Sequence, residues 1–311
     1  DAAMYRAKAA GRNTFRQYAP SMNAHAHKRL ATESSLHTAI AHGELVLFYQ
    51  PKVDVQTMKL VGMEALVRWR HPERGLLGPD EFIPLAEETG LIVPLGEWAL
   101  ETACRQTHVW REKAGDLVVA VNLSARQFQQ QEMADVVARA LRETGLPPRA
   151  LELELTETVA LENPAATSAT LHDIKRMGVS CSIDDFGTGY SGLSYLTRLP
   201  IDKLKIDKSF IDQIANGEDD ARIVAAVIAL AHELHMTVIA EGVETREQAD
   251  FLKANGCDDM QGYLISRPLS TEEFAAMLNR MRNGKLVPIE PAPVDRPQSS
   301  RARALTTVAA L

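Results

Sequence analysis

The chain has few cysteines and none of them is spaced for a redox or metal motif. Cys104, Cys181 and Cys257 stand singly in apolar surroundings. That excludes a disulfide scaffold or a zinc-thiolate domain and reads as a reduced, cytosolic protein with buried, inert thiols. No apolar run reaches the ~18 residues of a membrane span, and no basic start followed by an apolar stretch marks a signal peptide. If the full-length protein is membrane-anchored, the anchor is expected upstream of Asp1. There is no internal repeat. The segment His232-Glu233-Leu234-His235 spaces its histidines three apart, not the four of H-E-x-x-H, and reads as polar residues at a helix end. The glycine-rich run Gly187-Thr188-Gly189-Tyr190-Ser191-Gly192 lacks the Lys and Ser/Thr that end a P-loop, and is expected to be a mobile flap or a plain turn.

Charge is unevenly spread. Residues 1–43 carry six basic and two acidic side chains and residues 280–311 the same, so with −7 overall the body between them carries −15. So acidic a body excludes electrostatic binding of long nucleic acid and points to a small phosphate ligand bridged by metal. With 311 residues, 45% of them apolar, the chain can bury one large core.

Apolar β-rich runs alternate with helical periodicity. Strands are expected at Leu45–Tyr49, Leu60–Val67, Leu117–Leu123, Leu151–Leu155, Val179–Ile183, Lys203–Ile206, Thr237–Ala240 and Gly262–Ile265. Helices are expected at Gly96–Lys113, Met133–Thr144, Ala165–Met177, Asp220–Leu234 and Arg246–Asn255. The pattern predicts an α/β fold, a (β/α)8 TIM-like barrel of about 250 residues with its site at the C-terminal ends of the strands. The Gln50–Lys59 connection is too short for a helical crossover, so the first strand should be antiparallel. Residues 1–19 look like the end of a preceding domain, 20–43 a linker helix with Leu30, Leu36, Ala39 and Ile40 on one face, 44–284 the barrel, and 285–311 a Pro-rich disordered tail.

Carboxylates recur where these strands end. Asp184 and Asp185 are adjacent, and Glu64, Asn122, Glu154 and Glu241 occupy similar positions, with Lys205 and Gln261 beside them. All sit in or beside runs that should be buried, and burying so many charges requires cations and mutual pairing. Oxygen donors without His or Cys select Mg²⁺ or Mn²⁺. Side-by-side aspartates suit two ions about 3.5–4 Å apart, which activate a water for in-line phosphoryl displacement. Lys205 would offset repulsion and orient the water, and Arg68 would clamp a phosphate.

Glu64-Ala65-Leu66-Val67-Arg68 resembles the defining element of the EAL-domain phosphodiesterases, bacterial enzymes that hydrolyse cyclic di-GMP. The resemblance covers about residues 30–282. It runs through Tyr49-Gln50-Pro51, Val121-Asn122-Leu123-Ser124, Glu154-Leu155-Thr156-Glu157, Asp184-Asp185-Phe186-Gly187-Thr188-Gly189, Leu204-Lys205-Ile206-Asp207, Glu241-Gly242-Val243-Glu244 and Gln261-Gly262. Likewise Ala3-Met4-Tyr5-Arg6-Ala7-Lys8 with Gly11-Arg12-Asn13 resembles the end of a GGDEF (diguanylate cyclase) domain.

The resemblance implies hydrolysis of cyclic di-GMP to pGpG with two Mg²⁺ or Mn²⁺ ions. By motif, Glu64, Asn122, Glu154 and Asp184 would bind one ion and Asp184 with Asp185 the second. Lys205 and Glu241 would stand nearest the water. Glu241 keeps two possible roles, general base or metal ligand. Gln50, Leu66, Arg68 and Asp207 would contact the ligand, Glu244 and Gln261 would support the site by hydrogen bonds or substrate contact, and Glu157 would anchor the loop after Asp185. The resemblance also implies a homodimer through 186–196, coupled to metal occupancy, and upstream GGDEF and sensor domains. Two other classes fit the residues: an idle cyclic di-GMP receptor, and an enolase-like barrel lyase with Lys205 as base.

Overall fold

Alternating apolar residues at Leu45–Asp54 and Leu60–His71 form two long strands, β1 and β2, paired antiparallel from Leu45 opposite Trp69 to Lys52 opposite Gly62. The computed structural model of the chain describes residues 32–128, 132–187, 196, 198–214 and 218–281. The expected GGDEF remnant, the linker up to residue 31, residues 188–195 of the expected flap and dimer segment, and the tail from 285 lie outside the described residues.

A short β3 (Gly75–Leu77) folds back on the end of β2. Then β4 (Val118–Leu123), β5 (Leu151–Thr156), β6 (Ser180–Phe186), β7 (Lys203–Ile206), β8 (Thr237–Ala240) and β9 (Asp259–Met260) follow, each parallel to its neighbour from β2 onward. β9 pairs antiparallel with β1, Val53 opposite Met260, and closes the ring. β3 aside, this is an eight-stranded barrel with its first strand reversed, as the short first connection requires.

Crossover helices occupy Ile92–Ala114, Met133–Thr144, Pro164–Arg176, Glu218–Glu233 and Arg246–Ala254, and Thr271–Arg280 follows the barrel. Their starts have local causes. The Asn163 side chain accepts from Ala166 N ahead of Pro164, and Thr245 with Gln248 and Ser270 with Glu273 form reciprocal capping boxes. Residues 32–42 are also helical. Leu36 and Ala39 of that helix pack with Leu45, Trp69, Leu77, Phe82 and Ile92 in a second apolar cluster beside the main core. Trp69 Nε1 donates to Glu44 Oε2 at 2.9 Å, tying the helix exit to β2.

β5 reads Leu-Glu-Leu-Glu-Leu, and every one of those residues is buried. Leu151, Leu153 and Leu155 belong to the apolar layer under the helices. Glu152 and Glu154 turn into the lumen, where they meet lysines from strands across the barrel.

The eighth barrel strand departs from expectation. The apolar alternation of Gly262–Ile265 predicts a strand there, but the strand is Asp259–Met260, paired with Ile239 and Ala240. Gly262–Ile265 is a turn, closed by Ile265 N and Ser266 N donating to Gly262 O at 3.0 and 3.1 Å. The cause is Gly262, at φ 157°, where a Cβ would lie 2.1 Å from Val243 O and 2.2 Å from Val243 N. Backbone approaches backbone there and no side chain fits. Gly262→Ala should therefore lose about 1–3 kcal/mol of stability, read as a lower urea midpoint at unchanged slope. An unchanged midpoint would contradict the close approach.

Candidate metal centre and substrate cleft

The parallel strands deliver their carboxylates to one end of the lumen. Lys205 of β7 is completely buried, and its Nζ lies 2.6 Å from Glu241 Oε1, 2.7 Å from Glu154 Oε2, 3.0 Å from Asp184 Oδ2 and 3.7 Å from Glu64 Oε2. Glu64 of β2 accepts from Asn122 Nδ2 on Oε1 and from Gln261 Nε2 on Oε2, both at 2.7 Å. The same Gln261 amide donates to Glu241 Oε1 at 2.9 Å. Because the last strand ends at Met260, Gln261 follows the strand and reaches the rim directly. Asn122 is exposed, unlike the buried position expected of it, yet its amide meets the buried Glu64.

Asp185 sits at the end of β6 with φ 53°, beside a slip in the β6–β7 register after Ile183. Aspartate tolerates this left-handed conformation better than most residues. It separates the two carboxylates of the pair, and Asp184 Oδ1 accepts from Asp185 N at 2.8 Å. One carboxylate oxygen each from Asp184, Asp185 and Glu241 lie within 4.8 Å of one another.

Electrostatics follow from this crowding. Burial lowers the Lys205 ammonium's affinity for its proton, but Glu154, Glu241, Glu64 and Asp184 together outweigh burial and hold it well above the lysine range. Burial pushes Glu241 well above the carboxylate range despite Lys205, and raises Glu154 as well. Asp185 is pushed up to about 6 by burial, then by Asp184 and Asp207. Five carboxylates face two nearby ammonium groups, Lys205 and Lys52. The group also contains a buried acceptor, Gln261 Oε1, with no hydrogen-bond partner among the described residues. The donors are all oxygen and their negative charge is in excess, so the set fits hard divalent cations.

A cleft of about 270 Å³ opens beside this cluster, lined by Gln50, Glu64, Leu66, Lys208, Glu241, Glu244, Gln261 and Tyr263. Gln50 Nε2 donates to Ser266 O at 3.2 Å. Arg68 donates to Val67 O at 2.8 Å and lies 5.8 Å over the Phe48 ring. Asp207 caps the helix Lys208–Gln213 by accepting from Ser209 N at 3.0 Å. Glu244 is exposed and ion-paired with Lys208, apart from the metal-site carboxylates. Glu157 Oε2 accepts from Gly187 N at 3.2 Å, at the start of the loop it was expected to anchor.

Sequence reasoning missed five residues. Lys52 and Glu152 lie in the lumen below the rim, and Lys208, Tyr263 and Arg267 lie outside it. Tyr263 is half exposed, with Arg267 4.2 Å over its ring. Signals existed for Lys52, two residues after Gln50 on one strand face, and for Tyr263, which follows Gln261-Gly262.

An eight-stranded β/α barrel with an all-oxygen acidic rim defines a class of metal-dependent barrel proteins. The sequence model of the EAL domain matches residues 33–268, and the chain belongs to the EAL family. It is 48% identical over 277 residues to the bifunctional diguanylate cyclase/cyclic di-GMP phosphodiesterase MucR of Pseudomonas aeruginosa, covering 89% of this chain and 40% of that protein. It is 40% identical over 280 residues to the cyclic di-GMP phosphodiesterase PdeR of Escherichia coli, covering 90% and 42%. A solved structure, "PaMucR Phosphodiesterase, c-di-GMP complex", superposes with a TM-score of 0.76 at 47% identity, covering 78% of this chain and 99% of that one. The chain thus spans about two fifths of these two relatives' length. Among the described residues no helix is long and apolar enough to cross a membrane.

Proposed function

We propose that this chain hydrolyses cyclic di-GMP to linear pGpG at the carboxylate rim, with two divalent cations, Mg²⁺ or Mn²⁺. The observation that carries the reading is the Lys205 ammonium set among Glu64, Glu154, Asp184 and Glu241 beside an open cleft. Relatives named for this activity and a neighbour in complex with the nucleotide support it.

Glu64, Asn122, Glu154 and Asp184 would hold one cation, and Asp184 with Asp185 the other. When bound, the cations would acidify a water and offset charge on the phosphoryl oxygens. Lys205 and Glu241 would orient that water, and Glu241 would take its proton as the water oxygen attacks phosphorus. The bond from phosphorus to the ribose 3′ oxygen breaks, and a proton passes to that oxygen, leaving a 5′-phosphate and a 3′-hydroxyl. Gln50, Leu66, Arg68, Asp207 and Glu244 would line the bound nucleotide.

Tyr263, held by Arg267, offers an aromatic face at the cleft for a guanine. Its replacement in Tyr263→Ala should raise KM about tenfold with kcat nearly unchanged, since stacking serves substrate and transition state alike. A drop in kcat alone would remove Tyr263 from binding.

The segment 186–196, whose Gly187 N donates to Glu157, is our candidate for the dimer contact. Upstream GGDEF and sensor domains, and any membrane anchor, would belong to the longer protein. The test of the main reading is chromatography of cyclic di-GMP incubated with the purified chain and Mg²⁺, Mn²⁺ or chelator. Metal-dependent pGpG is expected. Intact nucleotide co-eluting with the protein would replace the enzyme with a receptor.

A further inference from the structure

The lumen below the rim carries a ladder of ion pairs, and none of the steps above uses its lower members, Lys203, Glu152 and Lys52. Lys203 Nζ lies 2.7 Å from Glu152 Oε2, and Glu152 Oε1 lies 3.3 Å from Lys52 Nζ. Lys52 Nζ in turn donates to Glu154 Oε1 at 2.6 Å, while Glu154 Oε2 meets Lys205 at 2.7 Å. Lys52 stands on β1, opposite Gly62 of β2, and reaches across the barrel to β5, a strand that shares no edge with its own. Its side chain is 3% exposed and that of Glu154 is 0% exposed.

We propose that Lys52 is a positioning residue for the cation site: it fixes one oxygen of Glu154 so that the other stays turned to the rim. A glutamate's terminal torsion is broad and roughly two-fold, so a buried carboxylate keeps one orientation only where its neighbours impose it. Glu154 has ammonium partners on both oxygens, from opposite sides, and Lys52 is the one outside the rim. Partners that orient ligating carboxylates typically contribute 10–100-fold to metal affinity. Removing Lys52 also strips a positive charge from beside the site, which alone would tighten cation binding. The sign of the change therefore separates positioning from charge.

The inference rests on the reading that Glu154 binds a cation. Its test is calorimetric titration of Mn²⁺ into the purified chain and into Lys52→Met, Glu152→Gln and the double variant. Affinity should fall about tenfold or more in Lys52→Met, remain low in the double variant and stay near that of the parent in Glu152→Gln. Equal or tighter binding by Lys52→Met would overturn the proposal. So would recovery in the double variant, because Lys52 would then only neutralise Glu152. The double variant carries no unpaired Glu152 charge, so it decides the matter if the single variant fails to fold. Failure of both to fold would make Lys52 a structural counterion and overturn positioning. Absence of Mn²⁺ binding by the parent chain would instead sink the cation site itself.

Discussion

Asp184→Asn should reduce turnover of cyclic di-GMP on the order of 10³-fold or more while leaving the fold intact. Asp184 takes part in both cation positions of the proposed site, and its Oδ2 lies 3.0 Å from Lys205. The amide keeps the shape of the carboxylate and its oxygen can still accept from Asp185 N, so the left-handed turn at Asp185 survives. Its NH2 then faces Lys205, which gives up this contact and keeps Glu154 and Glu241 as partners. What it loses is the negative charge that makes the oxygen a ligand for a hard cation. Thermal unfolding in chelator should therefore be close to that of the parent chain, because one of several crowded carboxylates has been neutralised. Full activity in Asp184→Asn would remove the metal assignment, and a collapse of stability in chelator would make the residue structural.

Lys205→Met should show the opposite balance. The ammonium is the counterion shared by Glu154, Glu241, Asp184 and Glu64, and it is completely buried. Removing one partner of a buried ionic network typically costs about 3–5 kcal/mol. The metal-free variant should unfold several degrees lower than the parent. Added Mn²⁺ should then stabilise the variant more than the parent, since the cations take over the missing positive charge. Turnover should stay low with metal saturating, because the group that orients the water is gone. An unchanged unfolding temperature in chelator would mean that the carboxylates are not held against Lys205.

The barrel was largely legible because its strands are separated by helical periodicity long enough to give crossovers, and because the short Gln50–Lys59 connection permits only an antiparallel first pair. The position of the last strand was not legible. Gly262–Ile265 has the alternation of a strand, while the deciding fact, contact of Gly262 with the Val243 backbone, is tertiary. Two residues, Asp259–Met260, are too few to give a periodic signal.

The rim carboxylates could be read from their place at strand ends, but which charge neutralises which could not. Glu152 and Glu154 look alike along β5. The structure pairs Glu152 with Lys52 and Lys203, whose charges outweigh its burial and hold its carboxyl well below the usual range, and sets Glu154 between Lys52 and the rim ammonium of Lys205. Lys52 shares a strand face with Gln50, but nothing in the sequence says that its side chain crosses the lumen to β5. Glu244 illustrates the converse, since its place in a motif says nothing of its exposed pairing with Lys208.

The most direct test of the rim as the catalytic centre is anomalous diffraction from crystals of this chain soaked in Mn²⁺. The account predicts two manganese peaks at the C-terminal end of the barrel, one among Glu64, Asn122, Glu154 and Asp184 and one against Asp184 and Asp185. Manganese bound only elsewhere on the surface, with Lys205 still seated among the carboxylates, would contradict it.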